Sequence, residues 1–222
     1  MKPYYGPHAG ITIYHADCRD MLPSLKVDVI VADLPYNCGK NYGETTNDRM
    51  PWPEWCAWWD GCLDLMLAAA PNVFAFLSQT AWKHYARLGR HEIAWTAVWS
   101  KPLSLAVCAL PFMPHWEPIT YWGKTRKSDG AFWGSDVLSC NVARSRYGHP
   151  TEKPERLLRD LLMRFGRVTI CDPFAGSGTT LRAAKDLGLS TIGVEINAAY
   201  CDMAIRRLQR PPERQLSLEE AR

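Results

Sequence analysis

Apolar residues along this chain follow two rhythms: short unbroken runs, and stripes spaced three or four residues apart. Residues 27–32 form a nearly continuous apolar run with one Asp inside it, the pattern of a strand covered on both faces. Residues 72–77 and 168–171 repeat it, and 11–15 and 191–194 are shorter versions. Segments 93–99 and 115–122 are aromatic and β-branched with partial alternation, and predict two further strands. Leu63, Met66, Leu67 and Ala70 mark a helix over 55–70, and another spans 80–88 with Gly89 at its end. Leu157, Leu158, Leu161, Leu162 and Phe165 form the stripe of a helix that Pro154 opens and Gly166 closes. A helix over 179–187 ends at Gly188, and Asn197 caps a last one through Leu208, stopped by Pro211 and Pro212.

Strands that alternate with helices argue an α/β fold with a largely parallel sheet. The 222 residues, 47% of them hydrophobic, suit one domain over 1–210 and a tail over 211–222. Residues 37–53 are polar and rich in Gly, Asn and Pro. Loops of that length are uncommon in compact domains and are often functional.

Charge adds one local feature. The net charge of +3 permits a polyanionic partner without demanding one. Between 124 and 167, however, ten Lys and Arg stand against five Asp and Glu. That excess suits either a phosphate-facing surface or a solvated helix face. Eight cysteines include no CxxC pair and no Cys/His cluster with zinc spacing, so the expectation is reduced thiols, a cytoplasmic protein and no metal. No signal peptide is legible, and no apolar run reaches the roughly 18–20 residues of a membrane span. The ten tryptophans read mainly as core, with base stacking open to one or two.

Four carboxylates directly follow apolar strands: Asp17, Asp33, Asp172 and Glu195. One such acid often does no more than cap the next helix. Four describe an acidic rim at the carboxyl ends of a parallel sheet, where ligands bind, and suit a polar or cationic cofactor. The strongest local signal is Asp172-Pro173-Phe174-Ala175-Gly176-Ser177-Gly178-Thr179-Thr180, between a strand and a helix. Its glycines permit positive φ and close approach to a ligand. Glu195 follows Gly178 by 17 residues, at the end of the next strand, where an acid can accept both hydroxyls of a ribose. A phosphate loop does not fit, because no Gly-Lys-Ser/Thr is present.

That nonapeptide resembles the S-adenosylmethionine loop of DNA amino-methyltransferases. Asp33-Leu34-Pro35-Tyr36 resembles their catalytic tetrapeptide, usually Asp-Pro-Pro-Tyr. His149-Pro150-Thr151-Glu152-Lys153-Pro154 is similar to the segment that precedes the cofactor loop and also touches the cofactor, and His115-Trp116-Glu117 to another shared element. With the tetrapeptide first and the cofactor loop last, the order is the circularly permuted one of the β class. The resemblance covers roughly 10–208. It implies a Rossmann-like fold with a mostly parallel, twisted, seven-stranded sheet and helices on both faces. It also implies methyl transfer from S-adenosylmethionine, leaving S-adenosylhomocysteine, to the N6 amino group of adenine in double-stranded DNA.

The same resemblance implies roles. Asp33, Leu34, Pro35 and Tyr36 are catalytic: Asp33 and the Leu34 carbonyl accept the two amino hydrogens, and Tyr36 stacks on the flipped base. Asp17, Asp172, Pro173, Phe174, Ala175, Gly176, Ser177, Gly178, Thr179, Glu195, Thr151 and Lys153 hold the cofactor. Target recognition falls between Lys124 and His149, over 125–148, with Arg126, Lys127, Arg144, Arg146 and Tyr147 as candidates. Lys40, Tyr42 and Arg49 of the 37–53 loop supply further DNA contacts. A recognition region this small implies a short target, loose specificity or a homodimer that shares the DNA.

One departure stands out. The second tetrapeptide position is Leu34 rather than Pro, although Pro35 still directs Leu34 toward extended backbone. Two alternatives follow: N4-cytosine methylation, whose enzymes usually carry Ser in place of Asp33, and a catalytically weakened DNA-binding relative with Leu34 as its scar. A chain this compact suits a phage, a mobile element or a restriction-modification system, and the sequence does not choose among them. A nucleotide-dependent oxidoreductase is disfavoured by the late position of the glycine loop.

Overall fold

The computed structural model describes residues 1–40, 48–104, 113–123, 134–142 and 152–211. Its strands are β1 (Tyr5–His8), β2 (Ile11–His15), β3 (Val29–Ala32), β4 (Asn72–Phe76), β5 (Trp95–Ser100), β6 (Trp116–Gly123), β7 (Val137–Ser139), β8 (Thr169–Asp172) and β9 (Ser190–Glu195). Its helices are α1 (Cys18–Met21), α2 (Trp52–Ala69), α3 (Gln79–Leu88), α4 (Glu155–Leu162), α5 (Thr179–Asp186) and α6 (Ala198–Gln209).

Among the described residues the strands form one sheet in the order β1-β2-β9-β8-β3-β4-β6-β5-β7. Neighbours from β2 through β4 run parallel, β1 and β6 run against them, and β5 and β7 are parallel to each other. The sheet therefore has nine strands where seven were expected. The two additions lie at its edges and are too short to carry a periodic signal: β1 contains Gly6 and Pro7, and β7 has three residues.

The unbroken apolar runs are explained by layers on both faces. All four residues of β3 are buried. Ile30 and Ala32 pack with Trp55, Trp59, Leu63 and Met66 of α2, while Val29 and Val31 pack with the four leucines of α4. Successive strand side chains point to opposite faces, so a strand between two helical layers has no polar side. Trp55, Trp59 and Trp122 are fully buried, which assigns these tryptophans to the core. α2 starts at Trp52, one turn before the expected 55, and so takes the last residues of the 37–53 loop. Proline early in the first turn loses no helical hydrogen bond, which lets Pro53 sit inside the helix.

The chain leaves β3 toward β4 on one side and leaves β8 toward β9 on the other. β3 and β8 are neighbours, so their carboxyl ends flank a topological switch point, the place where open α/β sheets bind ligands. Just beyond β3 the chain is fastened at a second level. Asp48, buried, accepts the backbone N–H of Asn37 (2.5 Å), Cys38 (3.2 Å) and Lys40 (2.7 Å). The Asn37 side chain in turn exchanges two bonds with the Met50 backbone. Among the described residues no helix is long and apolar enough to cross a membrane, and no cluster of His, Cys, Asp and Glu is arranged to hold a metal ion.

Candidate active site

The acids expected at strand ends do end neighbouring strands. Asp172 closes β8, Glu195 closes β9, Asp33 follows β3 and Asp17 follows β2. All four line one cavity of about 370 Å³ at the carboxyl edge of the sheet. The same walls contain Leu34, Pro35, Tyr36 and Lys153 on one side, and Pro173 through Ser177 with Thr179 on the other. The tetrapeptide and the glycine turn, about 140 residues apart in sequence, thus meet across the β3–β8 crevice.

Each acid is held differently. Glu195 is buried, and burial pushes its carboxyl up; its Oε2 accepts the Gly176 N–H (2.7 Å) and its Oε1 the Asn197 N–H (2.8 Å). Both oxygens keep a lone pair for a donor in the cavity. Asp172 is fully buried, and burial raises it to about 7 against the pull of hydrogen bonds from Thr180 and the Phe174 N–H (3.0 Å). Asp17 caps α1 and is gripped by Arg19, whose Nη2 lies 2.6 Å from Oδ2; this hydrogen bonding holds its carboxyl below the usual range. Two carboxyls raised by burial beside open space favour a cationic ligand, because a positive charge there relieves their desolvation cost.

Asp33 lies at the centre of the other wall. Its Oδ1 accepts from Lys153 Nζ (2.6 Å) and from the Tyr36 hydroxyl (3.2 Å). Among the described residues, neither Asp33 Oδ2 nor the Leu34 carbonyl takes a hydrogen bond. The Leu34 side chain is buried in the α2 layer, so the residue that replaces proline there fills the core. Trp55 Nε1 donates to the Pro35 carbonyl (3.2 Å) and ties the tetrapeptide to α2. The Tyr36 hydroxyl also meets Glu117 Oε2 (3.3 Å), and Glu117 Oε1 pairs with the buried Lys101 at 2.7 Å.

Several placements differ from what the sequence implied. Lys153 is buried and its partner is Asp33, on the tetrapeptide side of the cavity. Gly178 is absent from the cavity wall: a Cβ there would stand 2.7 Å from Ala204 Cβ, and φ is +81°. Its lack of a side chain serves the contact with α6. The Thr179 hydroxyl is taken by Arg207 of α6. Lys40 and Arg49 are exposed beside the 37–40 turn, with the Arg49 guanidinium packed against Gly39. Thr151, Tyr42, Arg126, Lys127, Arg144, Arg146 and Tyr147 lie outside the described residues.

Sequence reasoning missed Arg19, Trp58, Phe76, Asn197 and Tyr200 in the wall, and Trp55 and Lys101 behind it; Glu117 was legible only as part of the His115-Trp116-Glu117 element, with no role given. Asn197 carried a legible signal, as a helix cap two residues after a strand-end acid. Trp55, Trp58 and Phe76 lie on elements whose core pattern hides any second role.

Comparison with known proteins agrees with this geometry. The chain is 27% identical to the type II methyltransferase M.HpaI of Haemophilus parainfluenzae, over 86% of its own length and 73% of that protein's. It is also 27% identical to the DNA adenine methyltransferase YhdJ of Escherichia coli, over 89% and 82%. Its fold is shared with M1.HpyAVI, solved as a complex with SAM, at a TM-score of 0.63 and 22% identity over 90% of this chain and 100% of that one. Residues 76–206, more than half the chain, match the model of the N6/N4 DNA methylases, and the protein belongs to that family.

Proposed function

We propose that this chain transfers a methyl group from S-adenosylmethionine to the N6 amino group of adenine in double-stranded DNA. The observation that carries the reading is that Asp33 and Leu34, whose Oδ2 and carbonyl take no hydrogen bond among the described residues, line one cavity with the glycine turn and Glu195. Membership of the N6/N4 family supports it, as does the similarity to a DNA adenine methyltransferase.

The cavity fits the cofactor in charge: its buried carboxyls suit a cation, and Glu195 is oriented by two backbone amides to receive the ribose hydroxyls. Phe174 and the backbone of Ala175 to Ser177 would line the rest of it. When bound, S-adenosylmethionine supplies a methyl group on a positively charged sulfur. An aromatic amino nitrogen is a weak nucleophile because its lone pair is delocalised into the ring. Asp33 and the Leu34 carbonyl, accepting one N–H each, aim the NH₂ group and localise that pair. The amino group is inaccessible in a stacked duplex, so the base must be extruded. Tyr36 offers it a ring, one face of which already carries the Lys153 ammonium at 4.8 Å. In this reading 1–210 is a single catalytic domain, and 125–148 with the 37–53 segment reads the target.

The test is incubation with double-stranded DNA and labelled cofactor, followed by nucleoside mass spectrometry. N6-methyladenine is expected; N4-methylcytosine would move the substrate to the alternative base. Unmodified DNA, with S-adenosylhomocysteine still bound, would identify a non-catalytic relative. Asp33→Ala should lower kcat by about 100-fold or more, the scale for losing one preorganised polar group, with S-adenosylhomocysteine affinity little changed.

A further inference from the structure

Asp33 has two oxygens, and the protein uses them unequally. Oδ1 receives the Lys153 ammonium at 2.6 Å and lies 3.2 Å from the Tyr36 hydroxyl, whose single proton is shared between it and Glu117 Oε2 at 3.3 Å, and Oδ2 receives no donor among the described residues. Lys153 is itself tightly held. Its side chain is 6% exposed, and its ammonium lies 4.8 Å from the Tyr36 ring centroid, 5.4 Å from Phe76 and 6.0 Å from Trp99. Among the described residues its carboxylate partner is Asp33. The preceding residue, Glu152, is paired with Arg207 of α6, which ties the backbone that carries Lys153 to that helix. Tyr36 is steadied by Glu117, and Glu117 by Lys101 at 2.7 Å. The five side chains form one charge-balanced line, Lys101, Glu117, Tyr36, Asp33 and Lys153.

We propose that Lys153 is a positioning residue for methyl transfer: it binds one oxygen of Asp33 so that the other alone faces the target amino group. This rests on the methyltransferase reading above. A free carboxylate rotates about its Cβ–Cγ bond and presents either oxygen at many angles. A carboxylate clamped through Oδ1 presents Oδ2 along one direction, as two-point fixation of an NH₂ group by Oδ2 and the Leu34 carbonyl requires. A buried ammonium is a strong clamp, because its bond to a carboxylate is charge-assisted and its own side chain is shielded from water. The surrounding rings keep the ammonium in place without offering a rival acceptor.

The test uses the full chain. Lys153→Met keeps the buried stem and removes the charge. At saturating DNA and cofactor, its kcat should fall by about tenfold or more, the scale for loosened near-attack geometry. Its S-adenosylhomocysteine Kd, from calorimetry, should stay within about threefold of wild type, the split that marks a group acting on turnover rather than on cofactor binding. Lys153→Ala should recover part of the lost rate when methylammonium is added, because the small cation can occupy the emptied ring cage; a lysine with a merely structural role gives no rescue. Wild-type kcat in Lys153→Met overturns the proposal, and so does a defect confined to S-adenosylhomocysteine affinity. Should the Lys153 variants not fold, the near-isosteric Asp33→Asn decides, with Lys153 intact: the ¹⁵N-labelled ammonium signal of Lys153, protected from solvent in wild type, must broaden in Asp33→Asn, and an unchanged signal overturns the clamp. A wild-type chain that neither binds S-adenosylhomocysteine nor methylates DNA overturns the methyltransferase reading itself. An active wild type with an indifferent Lys153→Met overturns the clamp alone.

Discussion

Asp172 ends β8 with its carboxyl fully buried, and burial moves its value from the ordinary 3.8 to about 7. The folded protein therefore holds the protonated form better than the unfolded chain does. Its contribution to stability is complete below 3.8 and is lost as pH climbs through about 7. Asn mimics the protonated acid and does not titrate. The stability of Asp172→Asn relative to wild type should thus rise by on the order of 4 kcal/mol between about pH 4 and about pH 8. Urea unfolding of both proteins across that range measures it, and a constant difference would remove Asp172 as a buried titrating group. The strain has a use in the proposed reaction, since a cationic ligand in the cavity is the partner that an ionised Asp172 lacks.

At the scale of elements, α2 does two jobs. Its inward face supplies Trp55, Trp59, Leu63 and Met66 to the core. One of those core residues also touches the site, because Trp55 Nε1 donates to the Pro35 carbonyl at 3.2 Å. Trp55→Phe keeps most of the ring volume and removes the N–H. The expected cost in stability is about 1–2 kcal/mol, mixing a lost hydrogen bond with a small cavity. The expected loss in kcat, by several-fold at saturating cofactor and DNA, would come from a looser tetrapeptide. Thermal melting and initial rates separate the two effects. An unchanged kcat with lowered stability would confine Trp55 to the core.

At the scale of the molecule, the cavity and the surface beside it differ in charge. The acids gather inside the cavity, while Lys40 and Arg49 are exposed beside the 37–40 turn that follows the tetrapeptide. A net charge of +3 gives DNA no strong general attraction, and in the proposed function exposed cations beside the site supply phosphate contacts. Lys40→Ala and Arg49→Ala should each weaken DNA binding and lower the slope of log affinity against log salt by about 1. Titrations at several salt concentrations test this, and unchanged slopes would place the DNA elsewhere.

Much of this architecture was legible in local patterns. Apolar runs ending in Asp33, Asp172 and Glu195 were enough to place acids at strand ends, because period and termination are properties of neighbouring residues. The glycine turn and the tetrapeptide were legible for the same reason: each is contiguous, and each has a backbone demand that few residues meet. The two short edge strands were not, since three or four residues carry no period. Nor was the partner of Lys153, which a helix-start lysine would ordinarily find in solvent.

The sequence by itself thus determined which residues end strands, which carry the turn, and in what order the motifs run. The tertiary structure alone decided that β8 lies between β9 and β3, and with it that residues 120 positions apart, Lys153 and Asp33, share one hydrogen bond. The physical reason is that a strand's neighbours are chosen by how helices pack on both faces of the sheet. That choice is made by the whole core at once, and no local stretch of sequence records it.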